Sequence, residues 1–215
     1  MNHRSDMTMK ALSIIRDEHR SIAAVLNGML YLVSQIRERG MKPAFDVFGA
    51  MIYYIDAFPE RFHHPKEDAY LFRALRERCP DAAALLDQLH EEHAAGAQKI
   101  RVLEQALTRY QNGGAAEFAA FADAVESYAD FHWKHMRAEE TEVFPLAEAY
   151  LTPADWEAID AAFSGNDDPI VGADSRYQHE ALFRRIVNLA PPPIGVGPAA
   201  EAEKRQPGNA PTGRR

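Results

Sequence analysis

The chain has a single cysteine, Cys79, in 215 residues. That excludes an internal disulfide framework and fits a reducing compartment. No run approaches 18 uninterrupted apolar residues, so no membrane-spanning helix is expected. Period-two alternation of apolar and polar residues is absent, and with it any strand signal. Positive charge is scarce: 24 Lys and Arg against 32 Asp and Glu leave a net charge of −8, with no basic stripe before the tail. This argues against a nucleic-acid partner. Met1 to Lys10 is polar and lacks the apolar core of an export signal. A cytoplasmic protein with no membrane contact is expected.

What the chain does have is helical periodicity. From Leu12 the core-type positions run Ile15, His19, Ile22, Leu26, Met29, Val33 and Ile36, a 3-4 alternation that ends at Gly40. A second stripe, entered through Pro43, runs Phe45, Phe48, Ile52, Ile55, Pro59, His63, Glu67, Tyr70. Pro59 and Pro65 each remove a backbone donor, so a kink or break near the histidines is expected. Cys79-Pro80-Asp81 closes this helix, with Asp81 expected to cap the third. The third buries Leu86, Leu89, His93, Ile100, Leu103 and Leu107 and stops at Gly113-Gly114. The fourth uses Phe118, Phe121, Val125, Tyr128, His132, His135, Glu139, Glu142 and Leu146. The expected fold is all-α, an up-down-up-down four-helix bundle over residues 1–150. A helical appendage is expected over 151–190, made of two short helices (Pro153 to about Phe163, and about Ser175 to Leu189). Residues 191–215, rich in Pro, Gly and Ala, read as a disordered tail.

Six polar residues lie on the buried stripes: His19, His63, Glu67, His93, His135 and Glu139. His63/Glu67 and His135/Glu139 are i,i+4 pairs, which share one helix face. In an antiparallel bundle, residues equally far from a shared loop lie at the same height, since both helices rise about 1.5 Å per residue. Glu67 lies 13 residues before Pro80 and His93 lies 13 after it; His93 lies 20 before Gly113 and His135 lies 22 after it. His19 and His63 are likewise about equidistant from the loop near residue 41. All six therefore fall in one layer. Unpaired carboxylates in a bundle core are expensive and call for cations. Imidazole and carboxylate donors together suit a pair of iron ions, with manganese or zinc as alternatives. His132, one turn before His135, and His64 and His90, off the main stripe, are candidates for an extra ligand or for supporting contacts. Tyr54 and Tyr128 are candidates for orienting the ligands. Glu18, Glu92 and Glu140 read as solvated or supporting residues.

Four motifs, DEH at Asp17–His19, HHPKED at His63–Asp68, HEEH at His90–His93 and HMRAEE at His135–Glu140, resemble the hemerythrin-like, or HHE cation-binding, family over roughly residues 8–150. The resemblance implies a non-haem di-iron centre with an oxo or hydroxo bridge. In it His19, His63, His93 and His135 would be terminal ligands, and Glu67 and Glu139 would bridge. It departs from oxygen-carrying hemerythrins, whose third helix places two ligating histidines four apart and whose last helix ends with an aspartate. Here His90 and His93 are three apart and the last helix supplies Glu139. The expected function is binding of, or response to, dioxygen, nitric oxide or peroxide, or iron handling. The alternatives are a di-iron enzyme acting on peroxide or nitric oxide, an iron donor in iron–sulfur cluster repair, and a metal-free helical interaction protein.

Overall fold

A computed structural model describes residues 10–164, together with Ile186 and Asn188. The second expected appended helix, apart from Ile186 and Asn188, and the 191–215 tail lie outside the described residues. Among the described residues every regular element is helical. Four long helical segments form a bundle. The first is α1 (Lys10–Arg39). The second is a continuous run of α2 (Phe45–Ile55), π1 (Asp56–His63), α3 (His64–Lys66), π2 (Glu67–Phe72) and α4 (Arg73–Arg78). The third is α5 (Ala83–Gly113). The fourth joins α6 (Phe118–Ala138), π3 (Glu139–Val143) and α7 (Phe144–Tyr150). A further helix, α8 (Pro153–Ser164), packs against α1. No described helix is long and apolar enough to cross a membrane.

The helix ends follow local chemistry. Gly40 (φ 62°) and Gly114 (φ 65°) take the left-handed conformation that side chains resist, and stop α1 and α5 there. Asp81 does not cap the third helix: it lies in a 3₁₀ turn, Pro80–Ala82, and the cap position of α5 is Ala82 with no side-chain bond. At α8 the cap is reciprocal. The Asp155 carboxylate accepts the Thr152 backbone N–H at 2.9 Å, and the Thr152 hydroxyl accepts the Asp155 N–H at 3.3 Å.

The expected kink at Pro59 and Pro65 takes the form of π-helical turns. Pro59 cannot donate to the carbonyl four residues back, and π1 accommodates it: the His64 N–H reaches the Pro59 carbonyl, five residues away. In π3 the Phe144 N–H reaches the Glu139 carbonyl, again five residues away. Each wider turn advances the buried face. Downstream of Glu67 the core is built from Leu71 and Phe72, with Tyr70 only partly buried. Downstream of Glu139 it is built from Val143, Phe144 and Ala147, while Glu142 is exposed and Leu146 half-buried.

Among the described residues the interior has two apolar clusters. One gathers Leu26, Met29, Phe48, Met51, Ile100, Phe121 and Val125. The other gathers Leu12, Ile15, Leu71, Leu86, Phe144 and, from α8, Trp156, Ile159 and Phe163. On three of the long segments buried polar residues fall between the two clusters in sequence: His19 between Ile15 and Ile22, His93 between Leu89 and Ile100, Glu139 between Met136 and Val143.

Candidate metal centre

Between the two clusters the bundle buries His19, His63, His64, Glu67, His93, His132, His135 and Glu139. All six residues on the predicted stripes meet in one layer. His19 and His63 approach at 3.2 Å through their Nε2 atoms, and His93 and His135 do so at 3.0 Å. Glu139 places one carboxylate oxygen 3.2 Å from His19 Nε2 and the other 3.2 Å from His135 Nε2. Glu67 places its Oε2 3.4 Å from His63 Nε2 and 3.7 Å from His93 Nε2.

The outward side of these rings carries a pattern that sequence reasoning treated only as supporting charge. His19 Nδ1 donates to Glu140 at 2.8 Å, and His63 Nδ1 to Glu18 at 2.9 Å. His93 Nδ1 donates to Asp68 at 3.0 Å, and His135 Nδ1 to Glu92 at 2.8 Å. Each carboxylate sits beside a buried donor in sequence yet serves the histidine of another helix, so the four contacts close a ring around the bundle. Asp68 was not singled out from sequence. Its signal was present, since it adjoins Glu67 as Glu140 adjoins Glu139.

These outer bonds decide what faces inward. A neutral imidazole that donates from Nδ1 keeps a lone pair on Nε2. Two such lone pairs then oppose each other at 3.2 Å and at 3.0 Å, which requires a proton or a cation between them. Both oxygens of Glu67 and both of Glu139 are buried without a hydrogen-bond partner. A native core rarely leaves four carboxylate oxygens in that condition. The residues present fit a cation pair: His19, His63, Glu67 and Glu139 can bring ligand atoms within 4.8 Å of one another, and so can His64, Glu67, His93 and His135.

The electrostatics of the metal-free chain show the same demand. Burial is the largest influence on every one of these groups. It pushes the Glu67 carboxyl well above its usual range, helped by the neighbouring Glu139 charge. Burial would raise Glu139 too, but His135, His19 and His93 hold it well below. His135 is lowered by burial and raised further by Glu139 and Glu92, to about 10. His63 and His64 are driven down, chiefly by burial, and stay neutral.

The supporting candidates separate. His64 is buried and belongs to one of the two donor clusters, contrary to its off-stripe position on an ideal helix. His63 and His64 are neighbours that nevertheless both face the interior, at the junction between π1 and α3. His90 is exposed, with Nδ1 3.0 Å from an Asp68 carboxylate oxygen at the surface. His132 is buried outside both clusters, with Nε2 2.7 Å from the Tyr128 hydroxyl. Tyr128 also reaches Glu60 at 3.2 Å, a buried carboxylate that sequence reasoning missed and that burial pushes up to about 7. Tyr54 is buried among the aromatic residues beside the layer, 5.6 Å from the Phe58 ring.

A helical bundle whose core holds two adjoining histidine–carboxylate clusters defines a cation-binding helical protein. The Hemerythrin HHE cation binding domain family matches residues 10–147, well over half of the chain, and the chain belongs to that family. No curated protein and no solved structure matches it.

Proposed function

We propose that this protein holds two iron ions and uses them to bind or respond to a small ligand such as dioxygen, nitric oxide or peroxide. His19 and His63 would hold one ion; His93, His135 and the added donor His64 would hold the other; Glu67 and Glu139 would span both. The observation that carries this reading is the set of four buried carboxylate oxygens without a hydrogen bond, beside two pairs of imidazole Nε2 atoms that approach at 3.2 and 3.0 Å. Mixed nitrogen and oxygen donors suit iron, with manganese and zinc as competitors. When bound, the pair supplies a redox-active centre that takes up a small ligand. The chain's own part is to fix four of the imidazole rings through their outer nitrogens and to exclude water with apolar clusters on both sides.

Access has a structural candidate. A surface pocket of about 270 Å³ between α1 and α6 is lined by Ala23, Trp133 and Met136, with Arg20, Arg137, Glu140 and His19 around them. Of the donors, His19 alone lines it, which suits approach from the side held by two histidines. The short connections support an up-down-up-down topology for residues 1–150, with α8 opening the 151–190 appendage. The unpaired, buried Cys79 supports a cytoplasmic location.

The test is anaerobic iron loading followed by elemental counting and absorption spectroscopy. The expected result is two irons per chain and ferric-pair bands that bleach on reduction. Less than about half an iron per chain would sink the reading.

A further inference from the structure

Four of the five histidines in the donor clusters have a partially exposed carboxylate hydrogen-bonded to Nδ1. His64 breaks the pattern. Its Nδ1 is buried with no hydrogen-bond partner, and the nearest carboxylate oxygen is Glu60 Oε2 at 3.7 Å. Glu60 also differs from the other four carboxylates, because its side chain is only 5% exposed. Two features hold it there. The Tyr128 hydroxyl, itself 2.7 Å from His132 Nε2, reaches Glu60 Oε1 at 3.2 Å. Across the bundle, Glu60 occupies the space where residue 96 of α5 would carry a side chain, and that residue is Gly96: a Cβ there would overlap the carboxylate. A glycine in mid-helix is unfavourable for α5 by itself; its place here is explained by the room it gives Glu60.

We infer that Glu60 is the positioning residue for His64: seated over Gly96 and held by Tyr128, it draws the ring proton to Nδ1 and leaves Nε2 as the free donor. Glu60, 3.7 Å from His64 Nδ1, faces the fifth histidine from inside the core as Glu18, Asp68, Glu92 and Glu140 face the others from the rim, and closes to a hydrogen bond when the ring is held by an ion. This rests on His64 belonging to the two-ion site. Partners that orient a ligating histidine typically change metal affinity about 10–100-fold when removed.

Two readouts test it, one of them on metal-free protein. Nitrogen-15 NMR at pH 8 reports which nitrogen of His64 bears the proton. Competitive titration with a chromophoric chelator reports the affinity of each iron. Gly96→Ala displaces the Glu60 carboxylate while favouring the helix, so misfolding does not confuse its outcome; Glu60→Ala removes the carboxylate. The wild-type protein is expected to carry the His64 proton on Nδ1. Both variants should lose that preference and bind one of the two ions about tenfold or more weakly, leaving the other unchanged. A proton on Nε2 in the wild type, or wild-type affinity for both ions in the two variants, would overturn the inference. A wild-type chain that takes up no iron overturns the two-ion reading instead, and the metal-free tautomer still decides the role of Glu60.

Discussion

Four carboxylates, Glu18, Asp68, Glu92 and Glu140, fix which nitrogen each of four histidines turns inward. At the scale of single residues this makes them as consequential as the donors. Glu140→Gln and Glu92→Gln are expected to weaken iron binding about 10–100-fold while the fold is kept, as read by chelator competition and circular dichroism. The metal-free protein should also show a defined pH response. His135 is raised from 6.5 to about 10, so the stability it lends is complete below about pH 6.5 and lost as pH rises through about 10. Glu60 is raised from 4.5 to about 7, so ionising it costs the fold between those values. Both act in one direction: the thermal midpoint of the metal-free chain should fall as pH rises from 6 to 9, and a midpoint that rises would contradict these assignments. The six stripe residues were legible because burial and spacing are encoded along one helix. The pairing of Glu18 with His63, or Glu92 with His135, was not, because each pair joins two helices and neither member marks the other in sequence.

At the scale of elements, the glycine stops and the four apolar stripes could be read directly, since each depends on neighbouring residues alone. Replacing Gly114 (φ 65°) by Ala should cost about 1 kcal/mol in chemical denaturation, because a Cβ disfavours that backbone conformation. Gly49, inside α2 with open space around it, should give no such loss. The π turns were the unread feature. Pro59 signalled a disturbance but not its form, and Glu139–Val143 contains no proline at all. The consequence is a shift of phase: an ideal helix puts Phe72 and Phe144, five residues after Glu67 and Glu139, away from the donor face, whereas here both are buried while Tyr70 is only partly buried and Glu142 is exposed. His64, buried beside His63 where π1 meets α3, was off the stripe in the sequence.

At the scale of the whole molecule, the described bundle holds an ionisable layer between two apolar clusters. The clusters hold the fold, and truncation within one should be severe: Phe121→Ala, at a fully buried ring that meets Phe48 edge-on at 4.9 Å, is expected to cost about 3–5 kcal/mol in urea unfolding. The ionisable layer is poorly satisfied without cations, so iron loading should stabilise the chain. With free iron at a thousandfold excess over its dissociation constant, the gain for one site is about 4 kcal/mol, seen as a raised thermal midpoint that a chelator reverses. The central claim is that Glu67 and Glu139 span two ions held by histidines of all four long segments. Anomalous diffraction from iron-loaded crystals, collected on both sides of the iron edge, tests it most directly. The account predicts two anomalous peaks, one beside His19 and His63 and one beside His64, His93 and His135, with Glu67 and Glu139 between them. A single peak, or peaks away from these side chains, would contradict it.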